Sequence, residues 1–189
     1  FKPGWIQYYD ELPKHYDKAV MSWDMTFKDT KTSDYVCGQV WIKEKSCYYL
    51  VDQIRGRFDF TTTLKKFIEF SNKHPYCKRK LIEDKANGTA VINTLKKHIS
   101  GIVPITPKES KVARASATST LWEAHNIYIP DKLKNRWVEL EYEDELLKFP
   151  GGLHDDQVDC TSQALNDLMS KQEHIDPSNV EAILRGFYG

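Results

Sequence analysis

Several things are scarce in this sequence, and each shortage excludes something. None of the 189 residues belongs to an apolar run of about 18, so no segment reads as a membrane-spanning helix. No leader with a basic start and an apolar core opens the chain. It begins FKPGW, without Met, which predicts a processed protein or a domain cut from a longer one. The four cysteines, Cys37, Cys47, Cys77 and Cys160, form no C-x-x-C pair. That spacing argues against a zinc site or a disulfide frame. Three of the four sit in apolar or aromatic contexts, which predicts reduced, buried thiols of the cytosolic kind. The pattern G-x-x-x-x-G-K-[ST] is absent, so there is no loop of that type to cradle nucleotide phosphates. Net charge is lacking too, with 27 basic and 27 acidic side chains.

What is present is a globular composition. Apolar residues make up 40% and charged ones 29%, enough for one domain with a real core. The charge is unevenly placed. Residues 1–60 carry 9 basic and 9 acidic side chains, residues 61–120 carry 12 and 4, and residues 121–189 carry 6 and 14. A basic middle third is the electrostatic footprint nucleic acid would use, although solvated helix faces give the same composition.

Residues 1–19 read as an aromatic and polar lead-in that packs on the domain, 20–171 as the domain, and 172–189 as a tail. Residues 19–28, 33–45 and 46–57 are rich in Val, Ile, Tyr and Trp, and predict three consecutive antiparallel strands. Helical spacing of Leu64, Phe67 and Ile68 predicts a helix over 60–74, capped by Thr61 or Thr62. A strand at 78–86, a helix at 87–100, a strand at 101–107 and a helix at 108–126 follow. The stretch IYIP (127–130) is short and extended. Residues 133–149 predict an amphipathic helix with an acidic face. Residues 153–171 predict a last core helix, with Leu153, Val158, Cys160 or Thr161, Leu165 and Leu168 as its stripe. Trp23 and Trp41 read as core, and Lys78, Arg79 and Lys80 as a solvated turn. The order β-β-β-α-β-α-β-α is that of an α/β, ribonuclease H-like fold. Its mixed sheet has five or more strands, three antiparallel and then parallel ones, with helices on both faces.

The chemistry is concentrated in carboxylates. In LHDDQVDC, residues 153–160, Asp155, Asp156, Asp159 and His154 lie within six positions. Helix capping accounts for one or two of these acids; three repel one another unless a hard cation offsets them. Asp24 interrupts an apolar strand, where an ionised carboxylate is costly unless paired or metal-bound. In a ribonuclease H-like sheet the centre of the first strand lies beside the end of the fourth, which pairs Asp24 with Asp84. Asp156 and Asp159, three apart, would share a helix face and join them. Asp155 would cap the helix or act as a further ligand, and His154 would stand behind the ligands. Four carboxylates from three elements would hold two Mg²⁺ or Mn²⁺ ions about 3.5–4 Å apart.

Together, SWDMTFKDTKTSDYVCGQVW, LIEDKANGTAVI, PITPKESKVARA…LWEAHNIYIP and FPGGLHDDQVDC resemble the C-terminal nuclease domain of bacteriophage terminase large subunits, from roughly Val20 to Leu168. The resemblance implies a metal-dependent endonuclease that cuts concatemeric viral DNA during genome packaging. It places the family's acidic positions on Asp24, Asp84 and the trio Asp155, Asp156 and Asp159. Cys160 stands where Ala is common. Double-stranded DNA is the implied substrate. The implied partners are an N-terminal ATPase of the same full-length chain, the portal and the small terminase subunit, in the host bacterial cytoplasm at the procapsid portal. Lys85, Lys108, Lys111 and Arg114 would neutralise phosphates without reading bases. Other readings of the same residues are a Holliday-junction resolvase or transposase-like nuclease of this fold, and a non-catalytic DNA- or portal-docking module.

Overall fold

A computed structural model describes residues 1–25, 35–84 and 88–170. Its centre is a seven-stranded mixed sheet. The strands are β1 (Gln7–Tyr9), β2 (Lys18–Met25), β3 (Val36–Glu44), β4 (Cys47–Gly56), β5 (Arg79–Glu83), β6 (Ile102–Ile105) and β7 (Ile127–Pro130), in spatial order β1-β7-β4-β3-β2-β5-β6. β2, β3 and β4 form the antiparallel meander. β5 pairs parallel with β2, β6 with β5, and β7 with β4. The helices are α1 (Phe60–Lys73), α2 (Gly88–Leu95), α3 (Lys111–Glu123), α4 (Asp144–Lys148) and α5 (Asp156–Met169). This is the ribonuclease H-like arrangement expected. None of the described helices is long and apolar enough to cross a membrane.

Strand alternation sends the residues of β2 to two different cores. Met21 and Trp23 face a cluster with Phe67 and Phe70 of α1 and Val91 and Leu95 of α2. Val20 faces the other side, with Trp41, Leu81, Trp122 of α3, and Leu165 and Leu168 of α5. Trp23 stacks close to Phe67, with ring centroids 5.0 Å apart. Its ring also lies flat on Gly38 of β3, where an added Cβ would come within 2.7 Å of it. A glycine in a central strand normally weakens it; here it makes room for the largest side chain of the core. Trp23 and Trp41 are both fully buried, as expected.

The local differences from expectation have physical causes. The lead-in contributes an edge strand, because Gln7–Tyr9 completes the ladder of β7. Asp59, not Thr61 or Thr62, caps α1 by accepting from the Thr62 N–H. Residues 138–143 form a π-helical stretch running into α4, which brings Tyr142 inward to bond Thr161 at 2.8 Å. α5 starts at Asp156, so Leu153 falls outside the stripe and is 98% exposed. Lys80 is buried, donating to the carbonyls of Cys77 and Ser100, and Arg79 clasps Asp167 at 2.7 Å. Neither is part of a solvated turn.

A buried polar network locks α5 onto the sheet. Gln39 Oε1 accepts from Trp41 Nε1 and Thr161 Oγ1, while Gln39 Nε2 reaches the Gln157 carbonyl. Gln163 donates to Ser22 Oγ at 2.9 Å. The Cys160 thiol, fully buried, donates to the Cys37 carbonyl and accepts from the Asp24 N–H at 3.1 Å. A thiol where Ala would leave a gap thus ties the helix to β2 and β3, one residue from each of two acids. All four cysteines are free, and Cys37, Cys77 and Cys160 are buried.

Candidate metal centre

Register decides which acids meet. In the parallel β2–β5 pair, Ser22 lies opposite Leu81 and Trp23 opposite Ile82. The next step brings Asp24 level with Glu83. Glu83 alternates with Leu81, so it points to the α5 face. Asp84 follows the parity of Ile82 and points to the α2 face. There it accepts a 2.7 Å hydrogen bond from Thr89 Oγ1. α5 crosses above and delivers Asp159. Among the described residues, Asp24, Glu83 and Asp159 form a buried group, with one carboxylate oxygen of each within 4.8 Å of the others. Glu83 thus takes the place assigned to Asp84.

Asp156 goes elsewhere. Three residues on a helix separate side chains by about 60° around the axis. Here that divides Asp159, over β2 and β5, from Asp156, over β4. Arg55 of β4 grips Asp156 with Nε at 2.7 Å and Nη2 at 3.1 Å. It also reaches Glu145 at 3.0 Å and stacks on Tyr35, 3.9 Å from the ring centroid. Glu145 in turn caps α5, accepting from the N–H groups of Gln157 and Val158. Burial, together with the nearby Asp156 charge, holds the Glu145 carboxyl above the usual range. Desolvation opposes the charge on Arg55, but Asp156 and Glu145 outweigh it and raise its pKa. This second acidic group is therefore held together by one shared guanidinium.

Asp159 has two cations, Lys111 and Arg114, and they are differently held. Lys111, the first residue of α3, lies 2.6 Å from Asp159 Oδ2 and 2.7 Å from Asp155 Oδ1. The contact to Asp159 is a short ion pair made at a buried carboxylate. Arg114, one turn along α3, lies 3.2 Å from Asp159 Oδ1 and 3.8 Å from Glu83. Burial raises the Asp159 pKa, against the lowering by Lys111 and Arg114, and Asp155 adds to the rise. Partial burial would lower the Lys111 pKa, but Asp155 and Asp159 outweigh it and hold the ammonium charged.

The remaining expected residues sit around this centre. Asp155 precedes α5 without a side-chain capping bond and is bridged to the cluster through Lys111. His154 meets Tyr35 edge-on at 4.9 Å and lines a cavity of about 220 Å³ with Arg55, Glu141 and Glu145, on the Asp156 side. Lys108 lines a groove of about 880 Å³ between the β6–α3 loop and α5, together with Arg79, Arg114 and Gln163. Lys85 lies outside the described residues.

The sequence pairs Asp24 with Asp84; the structure brings Glu83, one residue earlier, beside Asp24. Its signal was available in part: in Leu-Ile-Glu-Asp, Leu81 and Glu83 share a face and Ile82 and Asp84 share the other. Which face carried Asp24 depended on register.

The terminase RNase H-like domain family matches residues 21–168. The large terminase nuclease from thermophilic phage G20c, with bound zinc, superposes with a TM-score of 0.66 at 15% identity, over 86% of this chain and 94% of that one. The same nuclease with bound magnesium gives 0.64 at 14%, over 86% and 93%. The large terminase nuclease domain from bacteriophage SPP1 with bound Mn gives 0.60 at 18%, over 87% and 97%. A longer large terminase from another thermophilic bacteriophage, in complex with ADP, gives 0.61 at 16%, over 87% of this chain but 43% of its own length. No curated protein matches the chain. At these identities the structural likeness speaks for the fold alone, and the family match shows the family. The chain belongs to the terminase RNase H-like domain family.

Proposed function

We propose that this chain is a divalent-metal-dependent DNA endonuclease, the cutting domain of a large terminase that trims concatemeric viral DNA during packaging. One observation carries the reading. Three buried carboxylates from two central strands and a helix converge within 4.8 Å. A fold gains no stability from packing three anions together; a hard cation supplies the reason.

The donor set fits such an ion. All three ligands offer carboxylate oxygens, the type Mg²⁺ and Mn²⁺ prefer. Oxygens on opposite sides of a Mg²⁺ ion lie about 4 Å apart, comparable to the spacing here. Asp24, Glu83 and Asp159 would hold the ion. A second would draw on the rim carboxylate Asp155, while Asp156 is committed to Arg55 and Asp84 faces α2. A bound divalent ion supplies polarisation of a phosphoryl oxygen and a water of lowered pKa.

The chain's own residues do the rest. β2 and β5 fix Asp24 and Glu83 by backbone register, and Cys160 and Gln163 fix α5 against them. Arg114 offsets charge beside Asp159 and Glu83, and Lys111 and Lys108 offer cations to a phosphate backbone. Lys85 completes that set in the proposal. Such contacts position duplex DNA without reading its sequence. An ATPase domain in the same full-length chain, the portal and the small subunit are the proposed partners, in the host cytoplasm at the procapsid.

The test is cleavage of supercoiled plasmid in Mn²⁺, in Mg²⁺ and in EDTA, beside Asp24→Asn. Nicking and linearisation that need metal and vanish in the variant support the proposal. Cleavage untouched by EDTA, or by Asp24→Asn, removes it. Inactivity on plasmid with activity on branched junctions would indicate a resolvase.

A further inference from the structure

We infer that Lys111 is a displaceable internal counter-ion. It occupies Asp159 while the centre is free of metal, leaves when a divalent cation takes that carboxylate, and is then available to a substrate phosphate. The inference rests on the metal reading proposed above and adds a coupling between metal and DNA.

Three observations separate Lys111 from its neighbour Arg114. First, Lys111 sits on a carboxylate that a metal would use. Its ammonium is 2.6 Å from Oδ2 of the buried Asp159 carboxylate. Arg114 takes the other oxygen, Oδ1, at 3.2 Å. Second, the two cations differ in freedom. The Lys111 side chain is 37% exposed, while that of Arg114 is 11% exposed and reaches both Asp159 and Glu83. A flexible four-carbon stem can swing outward; a buried planar guanidinium set between two carboxylates is far less free to do so. Third, Lys111 already has a second partner at the rim, Asp155, at 2.7 Å and 44% exposed. Leaving Asp159 therefore does not strand the ammonium.

The electrostatic consequence follows. A dication entering beside Asp159 meets the like charge of Lys111 at contact distance, so the two exclude each other. Once displaced, Lys111 projects from the first turn of α3, whose free N–H groups also favour anions. A phosphate bound there holds Lys111 away from Asp159 and so favours metal. By linkage, metal favours phosphate by the same factor. The centre resists loading with metal until DNA is present, which would restrain cutting in the absence of substrate.

Direct Mn²⁺ binding tests this without any cleavage readout. Free Mn²⁺ is counted by its electron paramagnetic resonance signal during titration of the wild type and of Lys111→Met, Lys111→Arg and Asp24→Asn, with no DNA. Lys111→Met should tighten Mn²⁺ binding on the order of tenfold. Lys111→Arg, which keeps the charge, should stay near the wild type. Asp24→Asn should weaken it. Adding a short non-cleavable phosphorothioate duplex should tighten Mn²⁺ binding to the wild type and leave Lys111→Met little changed. Loss in Asp24→Asn but unchanged or weaker binding in Lys111→Met overturns the counter-ion and leaves the metal centre standing. Identical weak binding in the wild type and Asp24→Asn overturns the metal reading, and the counter-ion with it. Thermal melting in EDTA confirms that each variant is folded.

Discussion

Asp156 and Asp159 lie three residues apart on the same helix, both buried, both facing the sheet, yet they belong to different kinds of site. Asp156 is clasped by two nitrogens of Arg55, which also holds Glu145, which in turn caps the helix. Every charge there has a partner of fixed geometry, and the guanidinium lies on Tyr35. Asp159 faces two further carboxylates, and its nearest cation sits on a partly exposed, flexible stem. One arrangement answers the folding problem. The other gathers three buried carboxylates from two strands and a helix where a cation can enter. Burial of an acid is therefore no guide to function; the partner it has been given is.

The comparison breaks most sharply on activity. Asp159→Asn should lower metal-dependent plasmid cleavage on the order of 10³-fold, as loss of a group stabilising the reacting centre does. Asp156→Asn, assayed well below its melting temperature, should stay within about tenfold of wild type. Equal losses would merge the two sites into one. On stability the ranking reverses. Arg55→Met strands Asp156 and Glu145 and should cost about 3–5 kcal/mol. Chemical denaturation in EDTA should show that loss, with a smaller one for Asp159→Asn, because Lys111 keeps Asp155 as a partner and relief of repulsion among the carboxylates offsets part of the cost. A smaller effect is metal-linked. Mn²⁺ at about 100 times its dissociation constant should stabilise the wild type by about 2.7 kcal/mol. Scanning calorimetry should show no such gain for Asp24→Asn.

The smallest effect concerns a third acid, which behaves like Asp156. Asp52 accepts from His74 Nε2 and Lys73 Nζ, each at 2.7 Å. Burial alone would raise its pKa, but the bonds from His74 and Lys73 outweigh it and hold the carboxyl below the usual range. A folded-state pKa below the unfolded one means the contribution is present above the ordinary carboxylate value. It is lost as pH falls through the lowered value. Stability curves for wild type and Asp52→Asn should separate near neutrality and converge in acid. Since Lys73 is well exposed, the gap should be modest.

Much of this was legible in the sequence because the signals were local. Asp24 announces itself as an anion inside an apolar strand, and strand and helix order follow from hydrophobic period. The trio at Asp155, Asp156 and Asp159 is too dense for capping alone. What was not legible depended on register or on distant partners. Glu83 and Asp84 differ by one position, and nothing local says which faces Asp24. The fate of Asp156 was set by Arg55, 101 residues away. Leu153 belongs to the apolar stripe by spacing, but α5 begins three residues later. Lys111 and Arg114 read as ligands for phosphate; the fold shows them first as partners of the centre's own carboxylates.

The central claim is that Asp24, Glu83 and Asp159 form the working centre, and neighbouring positions on one strand test it most directly. The measurement is the rate of Mn²⁺-dependent plasmid cleavage by Glu83→Gln and by Asp84→Asn, side by side with wild type. Near-complete loss in Glu83→Gln with most activity kept in Asp84→Asn is the result predicted. Loss in Asp84→Asn with activity retained in Glu83→Gln would contradict the account.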